Sequence, residues 1–150
     1  MAEKARILIV DDDENIRKTM KAILEDENYF VELATNGKEA IQMSNEKMFN
    51  LALLDIRLPD MEGVELLKLM KEYVPRTRKI MLTGFPTIQN AMTAVNKKAD
   101  AYLLKPVDVE KLLELVKEQL RFQEEEKEFS ETKVAAFIEA RIKEVSTSQG

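Results

Sequence analysis

The chain lacks both cysteine and histidine in its 150 residues. Without cysteine it forms no disulfide and has no thiolate chemistry, which fits a reducing compartment and leads us to expect a cytoplasmic protein. Without histidine it has no Ser-His-Asp triad and no histidine to phosphorylate, and most kinds of zinc site are excluded. Several large classes of enzyme are therefore excluded from the start.

Long hydrophobic runs and an excess of positive charge are also missing. No apolar run reaches the roughly 18 residues of a transmembrane helix, and the N-terminus lacks the features of a signal peptide, so we expect no membrane insertion. The net charge is -5. Because nucleic-acid backbones require clustered Lys and Arg, we expect no direct nucleic-acid binding. What remains is an ordinary globular composition with enough apolar residues for one core.

Short apolar runs alternate with amphipathic stretches along the chain. The runs predict strands, and continuously apolar ones such as "ILIV" suit a parallel sheet that is covered on both faces. The predicted strands are Arg6–Val10, Phe30–Ala34, Leu51–Leu54, Lys79–Leu82 and Ala101–Leu104.

Helical spacing of apolar residues follows every predicted strand. The five patterns are Ile16, Met20, Ile23 and Leu24; Ala40, Ile41 and Ser44; Val64, Leu67 and Met70; Ile88, Met92 and Val95; and Leu112, Leu113, Val116 and Leu120. Five strand-helix units in about 120 residues predict a doubly wound, flavodoxin-like α/β domain with strand order 2-1-3-4-5. A TIM barrel would need eight such units.

The last thirty residues have a different pattern. The apolar pattern stops in the charged stretch "RFQEEEKEF" and resumes at Ala135, Ile138, Ile142 and Val145. We predict one domain over residues 1–121 and a C-terminal helical extension over residues 122–150. In that extension the fifth helix continues briefly, a second amphipathic helix follows, and the end frays. The second helix either packs on its own domain, or it forms a homodimer or docks on a kinase or effector. The gap between the two apolar stripes argues against one long coiled coil.

Polar residues at the strand ends are the candidate functional residues. Asp11 and Asp12 follow the first strand, Asp55 the third, Thr83 the fourth and Lys105 the fifth. In doubly wound sheets, ligands bind outside the carboxyl ends of the strands, so these side chains should meet at one edge. A single Asp at a strand end is usually a cap or a turn residue. The occurrence of these five polar residues together at four strand ends argues against that explanation for the whole set.

The charges of these residues indicate phosphate chemistry with a metal ion. Three nearby carboxylates repel one another, and a hard cation with oxygen ligands, Mg²⁺ or Mn²⁺, would relieve that repulsion. An ionised Asp is a nucleophile without a general base, and aspartyl phosphates are known covalent intermediates. Lys105 and the metal would neutralise charge on the phosphoryl oxygens, and Thr83 could donate a hydrogen bond to one of them.

The sequence resembles the response-regulator receiver domain of two-component signalling. The resemblance covers about residues 5–120 and is carried by "ILIVDDDENIR", "LALLDIRLPDMEG", "IMLTG" and "ADAYLLKPVD". It implies that Asp55 is the phosphoacceptor and that Asp12 binds Mg²⁺ directly, with Asp11 mostly through water. It also implies that the backbone carbonyl of Arg57 is a metal ligand and that Lys105 binds the phosphoryl group before a cis bond to Pro106.

The same resemblance implies how the domain is used. The phosphoryl donor is a partner histidine kinase or phosphotransfer protein. Thr83 and Tyr102 are switch residues that repack the face of helix four, strand five and helix five, toward an effector or a second copy. Side chains at Arg57 and Phe85 tune dephosphorylation, and their bulk predicts a fairly long-lived phosphorylated form. Asp13 and Glu14 are implied to be first-turn residues of helix one and not ligands.

Three alternatives remain open from the sequence. A phosphatase with an Asp nucleophile would have a second Asp at the position of Arg57, which argues against it. A pseudo-receiver, which binds partners without being phosphorylated, usually lacks one of the acids or the Lys. A receiver from a larger transcriptional activator of the AAA+ type is favoured by Gly84 after the switch Thr. A DNA-binding domain does not fit in residues 121–150, which hold five Lys or Arg against seven Asp or Glu.

Overall fold

The computed structural model describes residues 4–84 and 99–148 and contains one parallel sheet. Its five strands have the order β2-β1-β3-β4-β5, which confirms the predicted topology. The strands are β1 Arg6–Val10, β2 Phe30–Ala34, β3 Leu51–Asp55, β4 Arg78–Thr83 and β5 Ala101–Leu104. Relative to the prediction, β3 and β4 each gain a carboxyl-terminal residue, so Asp55 and Thr83 lie in the sheet itself.

A described helix follows each of β1, β2, β3 and β5. These helices are α1 Glu14–Asp26, α2 Gly37–Glu46, α3 Gly63–Leu69 and α4 Val109–Ser148. The Asp13 carboxylate accepts two backbone N–H groups and caps α1, and Asp108 does the same for α4. Helix α4 is the fifth helix of the sequence analysis. The predicted fourth helix, with Phe85, lies outside the described residues.

The core consists of two layers, one on each face of the sheet. Successive strand residues point to opposite faces. Ile7, Ile9 and Leu53 therefore pack under α1 and α4, whereas Leu8 and Leu54 pack under α2 and α3. The continuously apolar runs follow from this arrangement, because both faces of each central strand are buried.

The predicted break in the C-terminal helix is wrong. Helix α4 is continuous over 40 residues. The charged stretch after Arg121 contains no Gly or Pro and is rich in Glu and Lys, which favour helix, so the helix continues where the apolar stripe stops. Of the two alternatives for this segment, packing on its own domain is not observed, because Phe137, Ile138 and Ile142 are each more than half exposed. The domain division at residue 121 stays a prediction. Among the described helices, none has the length and hydropathy needed to cross a bilayer.

Helix α4 is held to the sheet by polar side chains at the amino ends of the strands, which we call the amino-edge network. Gln123 accepts a hydrogen bond from the Asn50 side chain at 2.9 Å and donates to the backbone carbonyls of Asn50 and Arg76. Arg78 donates to Gln119 at 2.9 Å. The network consists of Asn50, Arg76, Arg78, Asp100, Gln119 and Gln123.

Asp100 is the centre of charge in the amino-edge network. Its carboxylate accepts hydrogen bonds from the Arg76 guanidinium and from the backbone N–H of Lys79, and it forms an ion pair with Arg78. The hydrogen bond to Asp100 raises the pKa of Arg76, whereas burial lowers the pKa of Arg78. Two guanidinium groups therefore surround one buried carboxylate.

Candidate functional site

The turn after β1 presents two acids in different surroundings. Asp11 is fully buried, and its Oδ1 accepts the backbone N–H of Asp13 at 2.9 Å. Asp12 is exposed, and its carboxylate makes no hydrogen bond or ion pair within the described residues. The Asp13 carboxylate is occupied as the cap of α1, and Glu14 forms an ion pair with Lys18 at 2.9 Å. The turn therefore directs only Asp11 and Asp12 to the sheet edge.

The end of β3 places Asp55 beside that turn. The backbone N–H of Arg57 donates to Oδ1 of Asp55 at 3.2 Å, which orients the carboxylate. The loop after Arg57 is closed by a hydrogen bond from the Gly63 N–H to the Ile56 carbonyl at 2.8 Å. A Cβ at Gly63 would lie 2.2 Å from the backbone oxygen of Asp55, so only glycine lets α3 begin this close to the strand.

Lys105 joins the two buried carboxylates. Its Nζ lies 2.8 Å from Oδ2 of Asp11 and 3.2 Å from Oδ2 of Asp55. The Lys105 backbone is held to β4 by a hydrogen bond to the carbonyl of Thr83 at 2.8 Å, and the bond to Pro106 is cis as the resemblance implied. The structure thus brings together the ammonium group and both buried acids predicted from the sequence.

The electrostatics reflect a shortage of positive charge. Burial raises the pKa of Asp55, and although the Arg57 N–H and Lys105 lower it, the charge of Asp11 helps to keep it above its usual value of 3.8. Burial lowers the pKa of Lys105, but its hydrogen bonds and ion pairs with Asp11 and Asp55 outweigh burial and raise that pKa overall. The site therefore favours a protonated Lys105 and disfavours ionisation of Asp55.

The acids are close enough to share one metal ion. One carboxylate oxygen each from Asp11, Asp12 and Asp55 lies within 4.8 Å of the others. Two oxygens bound to one Mg²⁺ at about 2.1 Å lie at most about 4.2 Å apart, so a shift of less than about 1 Å brings all three within reach. The all-oxygen donor set with an excess of negative charge fits Mg²⁺ or Mn²⁺.

The remaining predicted site residues are only partly placed. Thr83 is buried at the end of β4, and Tyr102 is half-buried on the adjacent strand β5. The side chain of Arg57 is exposed. Phe85 lies outside the described residues. The roles of these four residues, including the Arg57 carbonyl as a ligand, stay predictions.

Sequence reasoning missed three residues that shape the site. Arg17 donates from Nη1 to the backbone oxygen of Asp11 at 2.7 Å. Asp60 accepts the backbone N–H groups of Gly37 and Lys38 at 2.8 and 2.9 Å, which ties the loop after β3 to the start of α2 and lowers the pKa of Asp60. Gly63 was in a recognised motif, but only the 2.2 Å approach described above shows why glycine is needed there.

Comparisons with known proteins identify the family of this chain. The family model described as "Response regulator receiver domain" matches residues 7–117. The transcriptional regulatory protein ZraR of Klebsiella oxytoca is 38% identical over 110 residues, which are 73% of this chain and 25% of that protein. The regulatory protein AtoC of Escherichia coli K12 is 32% identical over 82% of this chain and 27% of its own length. The chain thus spans about a quarter of the length of these two relatives.

A solved structure gives a similar result. The crystal structure of a CheY-like response regulator receiver domain protein from Methanospirillum hungatei JF-1 has 48% sequence identity and a TM-score of 0.76. The match covers 83% of this chain and 99% of that one. The family model and these similarities, together with an acidic edge that contains an intervening Lys, lead to one conclusion. The chain belongs to the response regulator receiver domain family, the phosphoacceptor domains of two-component signal transduction.

Proposed function

We propose that Asp55 accepts a phosphoryl group from the phosphohistidine of a partner histidine kinase or phosphotransfer protein. The observation that carries the proposal is the position of Lys105 Nζ, which contacts the carboxylates of both Asp11 and Asp55. An ammonium held beside a carboxylate nucleophile can bind the incoming phosphoryl oxygens without moving far.

In the transfer, a carboxylate oxygen of Asp55 forms the new bond to phosphorus, and the bond from phosphorus to the histidine nitrogen breaks. The electron pair of that bond stays on the leaving imidazole of the partner. Asp55 needs no base because its reactive form is the ionised carboxylate. Later hydrolysis by water returns Asp55 and releases inorganic phosphate, so the domain catalyses its own phosphorylation and dephosphorylation without being a classical enzyme.

The metal site of this proposal consists of Asp11, Asp12, Asp55 and the backbone carbonyl of Arg57. When bound, Mg²⁺ would neutralise charge that develops on the phosphoryl oxygens. The exposed carboxylate of Asp12, which has no partner among the residues that the structure describes, supports this assignment, because an exposed acid beside two buried ones gives a cation an accessible first contact.

The switch of the proposal involves Thr83 and Tyr102. Phosphorylation adds about -1.5 to -2 charges at Asp55. Because Thr83 is buried at the end of β4 while Tyr102 is only half-buried on β5, movement of the Thr83 hydroxyl toward the phosphoryl group would leave space for the Tyr102 ring. The surface of β5 and α4 would then change and present a different face to an effector.

The decisive experiment is phosphorylation by a small donor. The chain is incubated with acetyl phosphate, with and without Mg²⁺, and weighed intact by mass spectrometry. We expect a Mg²⁺-dependent gain of one phosphoryl group that disappears in Asp55→Asn. Asp26→Asn, at the exposed end of α1, is the matched control and should be phosphorylated normally.

Failure of the folded protein to gain a phosphoryl group from either acetyl phosphate or a panel of phosphorylated kinases would contradict the proposal and favour a pseudo-receiver. Phosphate lost within seconds from the modified protein would instead contradict only the long-lived form predicted from Arg57 and Phe85. Cytoplasmic location and lack of direct nucleic-acid binding also stay predictions.

The outer half of α4 supports a protein-binding role as part of this function. Val134, Phe137, Ile138, Ile142 and Val145 are each more than half exposed on one helix. Apolar side chains of this size are usually covered in a functional assembly. We expect contact with an effector or with a second copy, which light scattering coupled to size-exclusion chromatography distinguishes. Phe137→Glu with Ile138→Glu should abolish the contact, whereas Glu128→Lys with Glu131→Lys should not.

A further inference from the structure

Arg17 makes an unusual contact with the site. It lies one turn into α1, where its backbone N–H donates to the carbonyl of Asp13 at 3.0 Å. Its side chain turns back, and Nη1 donates to the backbone oxygen of Asp11 at 2.7 Å. That oxygen belongs to the peptide unit that joins Asp11 to Asp12. Arg17 therefore holds the connection between the two adjacent acids.

The contact completes the hydrogen bonding of Asp11. The Asp11 N–H donates to Ala34, Oδ1 accepts from Asp13, and Oδ2 accepts from Lys105. The backbone oxygen is the remaining polar group, and Arg17 supplies its donor. Because Asp11 is fully buried, loss of Arg17 would leave this carbonyl without a donor from the described residues and would free its peptide unit to rotate.

Rotation of that peptide would move the side chain of Asp12. The orientation of the Asp11–Asp12 peptide determines the direction in which the Asp12 side chain leaves the backbone. The Asp12 carboxylate has no other hydrogen bond or ion pair within the described part of the chain to hold it. Its distance from Asp11 and Asp55 therefore depends on the backbone that Arg17 fixes.

The positive charge of Arg17 is electrostatically unfavourable at this position for two reasons. A cation in the first turns of a helix meets the positive end of the helix dipole, and a second positive charge near the acids repels a divalent cation. The hydrogen bond to Asp11 offsets these costs. The two effects of Arg17 on cation affinity thus have opposite signs, which makes them separable by experiment.

We propose that Arg17 is a positioning residue that fixes the Asp11–Asp12 peptide through the Asp11 carbonyl and so sets the spacing of the carboxylates for a divalent cation. The inference rests on the proposed function, because it assumes that a cation binds at Asp11, Asp12 and Asp55.

The test measures Mn²⁺ binding to the unphosphorylated full chain by electron paramagnetic resonance of the free ion. Arg17→Met removes the donor and the charge but keeps the aliphatic stem. We expect it to weaken Mn²⁺ binding about 10-fold, the range known for residues that orient metal ligands. Arg17→Lys keeps the charge and one possible donor and should recover most of the affinity.

Lys18→Met is the matched control. Lys18 is the next residue, carries the same charge and points to solvent, where it pairs with Glu14. Its removal should leave Mn²⁺ affinity unchanged or slightly tighter. With acetyl phosphate, Arg17→Met should need about 10-fold more Mg²⁺ for half-maximal phosphorylation but reach nearly the wild-type rate at saturation. A purely structural role would lower the rate at saturation as well.

The proposal is overturned if Arg17→Met binds Mn²⁺ as tightly as wild type or more tightly. In that case Arg17 would affect Mn²⁺ affinity only through its charge. If Arg17→Met does not fold, Arg17→Gln, which removes the charge and shortens the donor, takes its place: Mn²⁺ binding weaker than wild type supports the positioning role, and binding as tight or tighter overturns it. A wild-type chain that binds no Mn²⁺ is a different result, since it removes the metal site of the proposed function itself.

Discussion

The two ends of the sheet use charge in opposite ways. At the amino edge, one buried carboxylate, Asp100, lies between two guanidinium groups and a backbone N–H. At the carboxyl edge, Asp11 and Asp55 share the ammonium of Lys105, and within residues 4–84 and 99–148 the nearby Asp12 carboxylate has no ion partner. The first arrangement is complete without a ligand. The second gains from a cation, which is the property expected of a binding site placed where the strands end.

The comparison predicts that the amino edge carries the larger share of stability. Asp100→Ala would leave Arg78, whose side chain is 13% exposed, without its carboxylate partner. Removing one partner of a buried ion pair is strongly destabilising, so we expect the free energy of unfolding to fall by about 3 kcal/mol. Urea denaturation followed by circular dichroism measures it, with exposed Asp26→Ala as the control. A loss of unfolding free energy no larger than that of Asp26→Ala would contradict the larger contribution of the amino edge to stability.

The second prediction concerns packing at the carboxyl edge. Gly63→Ala places a Cβ 2.2 Å from the Asp55 backbone oxygen and 2.7 Å from Cε of Met81. Because backbone must move, we expect a loss of about 3 kcal/mol and slower phosphorylation. Gly84→Ala is the matched control, since the nearest atom to its Cβ within residues 4–84 and 99–148 would be Cβ of Lys105, at 4.0 Å. Equal stability of the two variants would show that the loop between Asp55 and Gly63 shifts to accommodate the Cβ at little cost in free energy.

The third prediction tests the link between α4 and the amino edge. Gln123→Ala removes three hydrogen bonds, so the partly buried Asn50 side-chain amide and Arg76 carbonyl lose the partner that Gln123 supplies. We expect a loss of about 2 kcal/mol in unfolding free energy and faster amide exchange in the outer half of α4. Gln42→Ala, at an exposed position of α2, should change the unfolding free energy and the amide exchange of α4 little. If exchange in α4 stays at the wild-type rate, Gln123 does not anchor the helix.

The smallest expected effect has the opposite sign. Because the pKa of Asp55 is raised in the fold, its ionisation costs stability, and that cost grows as pH rises from 3.8 through the folded pKa. Asp55→Asn should therefore be more stable than wild type by about 1 kcal/mol at pH 7 without metal, and not below pH 3. Urea titrations in chelator at both pH values check this. A destabilised Asp55→Asn at pH 7 would mean that its contact with Lys105 outweighs the repulsion.

Topology explains why much of the site was predictable. Asp11, Asp55 and Lys105 needed only the order of five parallel strands to be placed together, because every strand ends at the same edge. Arg17, Asp60 and Gln123 act on backbone groups instead. Gln123 contacts Asn50 across 73 positions of sequence, and no periodic pattern signals such a pair. Their roles emerged only from three-dimensional contacts.

The C-terminal prediction failed for a related reason. Apolar periodicity reports which helix faces are buried, not where a helix ends. After Gln123, most side chains of α4 are exposed, so the apolar stripe stops, but the intrinsic preference of Glu and Lys for helix continues. The absence of an apolar face was mistaken for the absence of a helix.

The length of α4 has a mechanical consequence. At 1.5 Å per residue, the 25 residues from Gln123 to Ser148 extend about 37 Å beyond the last contact of the amino-edge network. A tilt of about 5° at Gln123 would then move the tip by about 3 Å, nearly the separation of two residues along a strand. A small reorientation of α4 at the domain therefore becomes a larger displacement at the end of the helix.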